Sequence, residues 1–300
     1  MKPFIPWIGG KGALVDEILP RFPTDYYRYV EVFGGGASVL FAKSKSDNFE
    51  IYNDFQVNLV NLFTVVKEKP LSFLNELGFF PLNSRDEFIH LKNLLDGKTD
   101  FYKYIEDELE IGEKYLKPLE FHEIKKILEA KANQVDVNKA VAFYKVIRFS
   151  YASSGKSYGA RPISLASVNH SILSASQRLR RVVIENKDFE ELIKQYDRKD
   201  TFFYCDPPYF ETESHYDAPF KTEDHLRLKS SLDNIQGMFL LSYNDSNYIR
   251  DLYKDYYIVS VVRINNLKQR YDPGSVYEEL LIANYDISNK RDVAKQSALF

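Results

Sequence analysis

The run Tyr29-Val30-Glu31-Val32-Phe33 passes without a linker into Gly34-Gly35-Gly36, and a helical pattern, Ala37-Ser38-Val39-Leu40-Phe41-Ala42, begins at once. β-Branched and aromatic residues ending in glycines, followed by helical spacing, describe a strand, a tight turn and a helix. A second strand-like run, Phe49-Glu50-Ile51-Tyr52, ends in Asn53-Asp54, with apolar residues following at Val57, Val60 and Phe63. Strand, glycine turn, helix, strand is the opening of a doubly wound α/β sheet, which holds ligands at the carboxyl ends of its strands. The glycines let a ligand approach the backbone without Cβ interference. They do not spell G-x-G-x-x-G, so the turn lacks the dinucleotide fingerprint and a nicotinamide-dependent oxidoreductase is disfavoured. Asp54, at the end of the second strand, can accept hydrogen bonds from ribose hydroxyls. It equally suits the N-cap of the helix that starts near Phe55, and the two roles are compatible.

A third strand, Thr201-Phe202-Phe203-Tyr204-Cys205, runs into Asp206-Pro207-Pro208-Tyr209. Two consecutive prolines stiffen the turn and lack N–H groups, so its carbonyls are left to face a ligand. Asp206 adds a carboxylate acceptor and Tyr209 a flat stacking surface. Two acceptors beside an aromatic face suit a planar ring that carries an amino group. Further strands are expected at Val182-Val183-Ile184, Gly237 to Ser242, Tyr257 to Val262 and Glu279 to Asn284, with a polar, glycine-containing loop from Asn265 to Ser275. Between Leu71 and Arg148 the chain is instead helix-rich and dense in Lys and Glu. A helical insert over residues 61–165, within an α/β domain made of residues 1–60 and 166–300, accounts for this order.

Charge is uneven. The net charge of −3 argues against a globally basic nucleic-acid binder, yet Val137 to Ile184 contains no Asp or Glu. That stretch carries Lys139, Lys145, Arg148, Lys156, Arg161, Arg178, Arg180 and Arg181. A local basic stripe in an otherwise acidic chain suits a confined phosphate-backbone footprint, or a helix face whose counter-charges come from elsewhere in the fold. The five histidines (His90, His122, His170, His215, His225) show no ligand spacing, so no metal is expected, and His215 and His225 read as surface residues. The single Cys205, the absence of a signal-peptide pattern after Met1 and the lack of a membrane-length apolar run lead us to expect a cytoplasmic protein.

Taken together, these motifs resemble the Dam-like, D12-class (alpha group) adenine-specific DNA N6-methyltransferases, and the resemblance spans nearly the whole chain. Pro6-Trp7-Ile8-Gly9-Gly10-Lys11 is similar to the family's N-terminal cofactor motif, Glu31 to Gly36 to its F-x-G-x-G motif, and Asn53-Asp54 to its ribose-binding position. The resemblance implies a Rossmann-like S-adenosylmethionine-dependent methyltransferase sheet with an inserted helical DNA target-recognition domain. It implies that Trp7, Lys11, Phe33, Gly34, Gly35, Asp54 and Asp206 bind S-adenosylmethionine, and that Asp206, Pro207, Pro208 and Tyr209 methylate an adenine flipped out of double-stranded DNA. Lys145, Arg148, Tyr151, Lys156, Tyr158 and Arg161 are the candidate DNA contacts, with Tyr151 or Tyr158 as a wedge in the base stack. A cognate restriction endonuclease is admitted as a further partner. Two departures stand out. Ala37 replaces the last glycine of F-x-G-x-G, and the loop Tyr151 to Arg161 is unlike the segment of GATC-specific enzymes, so that target is not transferred. Cytosine N4 or an RNA base would admit the same chemistry, and a catalytically inactive DNA-binding relative would keep the same fold.

Overall fold

Strands whose residues are apolar on both faces must be covered on both faces, and here they are. The computed structural model describes residues 1–45, 47–78, 84–97, 103–132, 136–159, 165–210, 220–264 and 276–291. Seven strands form one sheet: β1 (Arg28–Glu31), β2 (Phe49–Asn53), β3 (Val182–Glu185), β4 (Thr201–Cys205), β5 (Met238–Asn244), β6 (Tyr257–Ile264) and β7 (Val276–Ala283). Their spatial order is β3-β2-β1-β4-β5-β7-β6. β1 to β5 pair in parallel, while β7 runs antiparallel between β5 and β6. All five residues of β4 are buried, as expected of a central parallel strand.

Helices supply the cover. α10 (Phe189–Tyr196) turns Phe189, Leu192 and Ile193 onto the sheet, and α11 (Thr222–Asp233) turns Leu228 and Leu232 onto it. These pack against Val30, Ile51, Phe203, Phe239 and Leu241. Each such side chain contributes roughly 1.5–3 kcal/mol on leaving water. Asp188 starts α10 by accepting the Glu190 N–H, an ordinary N-cap.

The chain divides into two compact units, one of Met1–Pro3, Gly9–Val60 and Arg178–Phe300, the other of Phe4–Ile8 and Asn61–Gln177. The first contains the entire sheet. The second is helical, with α4 (Pro70–Leu77), α5 (Arg85–Leu95), α6 (Lys103–Tyr115), α7 (Pro118–Ala132) and α8 (Val137–Phe149). α8 is buried almost all round, from Ala140 to Ile147 and at Phe149, because α4 and α5 pack on it. The division falls within α3 (Val57–Glu68) and α9 (Leu165–Leu179).

The strands depart modestly from the sequence expectation. β1 stops at Glu31, although the Val32 N–H still reaches the Tyr204 carbonyl, because the chain then bends into the glycine turn. β6 and β7 run further than expected, since backbone pairing from Arg263↔Tyr277 to Ile264↔Val276 does not require apolar side chains. The expected loop from Asn265 to Ser275, Arg161, His215 and most of the polar tail lie outside the described residues. No helix is long and apolar enough to cross a membrane among the described residues.

Candidate active site at the strand-order reversal

The order of the sheet reverses between β1 and β4, and doubly wound sheets bind ligands at that reversal, beyond the carboxyl ends of the strands. Asp206 follows β4 directly. Because Cys205 pairs with Leu241, Ser242 of β5 lies beside Asp206, and its hydroxyl donates to Oδ1 at 2.9 Å. The Lys11 ammonium contacts both carboxylate oxygens, at 2.6 and 2.8 Å, and also donates to the Gly9 carbonyl at 3.0 Å. Burial raises the Asp206 pKa above its ordinary value, Lys11 pulls it back, and the charge of Glu279 pushes it up again. The same ammonium stands 4.6 Å over the Tyr209 ring. Tyr209 is buried and its hydroxyl donates to Glu279 Oε2. A carboxylate and a flat ring thus share one cation between them.

Two side chains at the end of β2 tie together the backbone that follows β1, β2 and β3. Asn53 is 1% exposed; its amide donates to the carbonyls of Val32 and Lys187 at 2.9 and 3.1 Å and accepts the Lys187 N–H at 2.9 Å. Asp54 accepts the Gly35 N–H through Oδ2 and the Gln56 N–H through Oδ1, both at 2.8 Å. It therefore fixes the glycine turn and caps the next segment at once. Burial raises its pKa, and these N–H donors counter the rise. Gly35 and Ala37 both adopt positive φ, 48° and 55°. Phe33, half-buried, packs with Phe189 and Phe220 at ring separations of 5.6 and 5.9 Å.

Glu31, at the end of β1, carries a second perturbed carboxyl. It is 2% exposed and accepts the Tyr29 hydroxyl at 2.8 Å, and burial pushes its pKa to about 8. A carboxyl whose folded pKa is raised contributes stability that is complete below its unfolded value and is lost as pH rises through the folded one. Here the window runs from an ordinary 4.5 to about 8. Glu31→Gln, which cannot ionise, is expected to melt at increasingly higher temperature than the unmodified protein as pH rises from 5 to 8. Parallel melting curves across that range would contradict the assignment.

The family of D12 class N6 adenine-specific DNA methyltransferases matches residues 7–267. The chain belongs to that family. It is 28% identical to the type II methyltransferase M.MjaIII of Methanocaldococcus jannaschii, over 95% of this chain and 99% of the relative. It is 26% identical to the type II methyltransferase M1.LlaDCHI of Lactococcus lactis subsp. cremoris, over 95% and 96%, and 23% identical to the DNA adenine methylase of Haemophilus influenzae, over 84% and 82%. As an adenine-specific DNA methyltransferase it requires a methyl donor and acts on DNA.

In this methyltransferase the expected site residues fall in both units. Lys11, Phe33, Gly34, Gly35, Asp54 and Asp206 to Tyr209 lie in the sheet unit. Trp7 belongs to the helical unit, where its ring stands 6.2 Å from Phe143. The expected DNA contacts separate. Lys145 is 5% exposed on the enclosed helix α8, where burial lowers its pKa and Glu76 and Glu87 oppose that, so its expected phosphate contact is withdrawn. Arg148 is half-buried, 5.9 Å from the Tyr144 ring, and Lys156 is exposed. The basic stripe is in part structural: Arg178 is buried, donates to both Glu50 oxygens and to the Leu40 carbonyl, and shares Glu50 with Lys43. His225, expected at the surface, is fully buried against the Tyr243 hydroxyl, with Phe210 and Phe220 edge-on to its ring.

Two residues acquire a place at the site that their sequence context did not assign. Ser242 and Glu279 stand in segments read from the sequence as strands, and their contacts with Asp206 and Tyr209 depend on the β4-β5-β7 neighbourhood.

Proposed function

We propose that this chain transfers the methyl group of S-adenosylmethionine to the N6 amino group of an adenine flipped out of double-stranded DNA, with Asp206 and the Pro207 carbonyl accepting the amine's two N–H bonds. The observation that carries this reading is the Lys11 ammonium, a nitrogen cation donating to Asp206 while standing over Tyr209. An amine on a planar ring makes the same two contacts. S-Adenosylmethionine, when bound, supplies an electrophilic methyl group on a sulfonium centre. The residues present fit that donor: Asp54 takes the Gln56, Gly35 and Phe55 N–H groups and retains acceptor capacity for a hydroxyl donor beside the glycine turn. Phe33, Gly34, Gly35 and Asp54 would hold the donor.

The amino group of adenine is a weak nucleophile because its lone pair is delocalised into the ring. Acceptors fixed on both N–H bonds draw the nitrogen toward tetrahedral geometry and stabilise the positive charge that develops on it. For the amine to reach Asp206, the Lys11 ammonium gives up at least one of its two carboxylate contacts. Tyr209 packs on the flipped ring and offsets its lost stacking. Nucleoside analysis of DNA methylated by the purified protein tests this reading. N6-methyladenine is the expected product, and N4-methylcytosine alone would overturn it.

The helical unit, taken as the target-recognition insert over residues 61–165, supports a division of labour between the two candidate wedges. Tyr151 is 68% exposed on a braced turn. The Tyr151 N–H donates to the Ser157 carbonyl at 2.7 Å, the Gly155 N–H to Ser150 Oγ at 2.8 Å and the Gly159 N–H to the Phe149 carbonyl at 2.7 Å. Ala152 and Ser153 hold positive φ within that turn, a cost that folded proteins commonly accept at functional positions. Tyr158 instead packs on Phe88, 5.8 Å away, beneath the Arg85 guanidinium. Tyr151 is therefore the base-stack wedge and Tyr158 its support, with Arg148 and Lys156 as candidate contacts to phosphates or base edges. Tyr151→Ala is expected to weaken DNA binding about tenfold and leave the melting temperature unchanged, and Tyr158→Ala to lower the melting temperature. The reverse pattern in fluorescence anisotropy and thermal melts would exchange the roles. The type II relatives make a companion restriction endonuclease the expected partner.

A further inference from the structure

Glu279 is a carboxylate that the methyl-transfer reading leaves unused. It sits on β7, 1% exposed, opposite Asn244 of β5 in the sheet register. Its Oε2 accepts the Tyr209 hydroxyl and its Oε1 accepts the Arg263 Nε–H from β6. A buried ion pair is an inefficient way to stabilise a fold, because desolvating both charges offsets most of their attraction. An apolar pair would hold the β6–β7 hairpin as well. What an apolar residue cannot do is accept the hydroxyl of Tyr209.

We propose that Glu279 is a positioning residue for methyl transfer, holding the Tyr209 ring in register with Asp206 and itself oriented by Arg263. The inference rests on the reading of Asp206 and Tyr209 given above. Contacts among the described residues hold the ring: Lys11 covers one face at 4.6 Å, Tyr243 packs against it at 6.0 Å, and Glu279 ties its hydroxyl. The next residue is fixed as well, since the Asn244 amide donates to the Phe210 carbonyl at 3.2 Å and the Phe210 ring stacks on Tyr248 at 4.4 Å. Tyr209 stays a donor throughout, because burial and the charges of Asp206 and Glu279 hold its phenol well above its ordinary pKa. When the target base enters, Lys11 withdraws from the ring, and Glu279 becomes the polar tie that keeps the ring parallel to the base. Misalignment of reacting groups by about 1 Å costs on the order of a hundredfold in rate.

Single-turnover transfer from tritiated S-adenosylmethionine to adenine-unmethylated genomic DNA tests the proposal, alongside equilibrium dialysis of S-adenosylmethionine. Tyr209→Phe keeps the ring and deletes only the donor; it is expected to lower the single-turnover rate about tenfold or more with cofactor affinity unchanged. Glu279→Ala should lower the rate at least as much, and Glu279→Gln, which retains an acceptor, should recover most of it. The Tyr209→Phe/Glu279→Ala double variant should be no slower than Glu279→Ala alone, because both changes remove one contact. A role confined to folding would instead give losses that multiply. A wild-type rate in Tyr209→Phe, or multiplying losses, overturns the proposal, and the Phe variant decides it even if Glu279→Ala fails to fold. Asp206→Ala separates the two readings. If it still transfers methyl groups, the site assignment itself fails; if it is inactive while Tyr209→Phe is unimpaired, only the role of Glu279 fails.

Discussion

Asp206→Ala is expected to lower methyl transfer by at least about a thousandfold while leaving a folded protein. The size follows from the number of effects that meet on one carboxylate. In the proposed mechanism it accepts one amine N–H and its negative charge faces the developing positive charge, and removing one preorganised group of this kind costs on the order of a hundred- to a thousandfold. The fold should survive because β4 is held by backbone pairing to β1 and β5, in which the Asp206 side chain takes no part. Asp206→Asn is expected to be nearly as inactive, for a different reason. One of its two positions becomes an N–H donor facing Lys11, whose ammonium lies within 2.8 Å of both oxygens, and two donors cannot share that space. The direction of the pKa shift adds a pH dependence. The acceptor must be ionised, and burial raises the Asp206 pKa, so the acid limb of the single-turnover rate should lie above the ordinary aspartate value. Near-normal turnover in either variant, with folding verified by circular dichroism, would remove Asp206 from the mechanism.

What the sequence disclosed about this site follows a physical division between local and distant contacts. The glycine turn, Asp54 and Asp206-Pro207-Pro208-Tyr209 were legible because each is contiguous and ends a strand of readable pattern. Asp54 holds Gly35, nineteen positions away, within one strand-helix-strand unit. The contacts among these pieces were not legible. Lys11, on a 3-10 turn, meets Asp206 across 195 positions, and Tyr209 meets Glu279 across 70 through the β4-β5-β7 order. Lys145 misled for a related reason. A lysine on an apolar helix ordinarily extends its ammonium to water, but α8 is enclosed by α4 and α5 and offers it no such exit. His225 was misplaced because it follows the polar run Thr222-Glu223-Asp224 and precedes an exposed Leu226, whereas the face it shares with Leu228 and Leu232 is the buried one.

Gly34→Ala is expected to lower both stability and cofactor affinity. A Cβ built on Gly34 would stand 2.1 Å from Tyr52 Cε2 and 2.8 Å from the Asn53 carbonyl oxygen, and neither can retreat cheaply. Tyr52 is fully buried and its hydroxyl donates to the Gly35 carbonyl at 2.8 Å, so moving the ring breaks that bond. The Asn53 carbonyl accepts the Gly34 N–H at 2.7 Å, so moving it breaks the bond that closes the turn on β2. Overpacking of this kind typically costs about 1–3 kcal/mol, and a chain of this size should lose several degrees in melting temperature as a result. Either displacement also disturbs the Gly35 N–H that Asp54 accepts, which is why S-adenosylmethionine binding should weaken by about tenfold or more at temperatures where the protein remains folded. Gly12→Ala is the control. Outside its own turn of backbone and its chain neighbours, no atom lies within 4 Å of its added methyl group, and its melting temperature and cofactor affinity should match those of the unmodified protein. If the two alanine variants behave alike in thermal melts and in equilibrium dialysis, the close approach at Gly34 has no part in shaping the cofactor site.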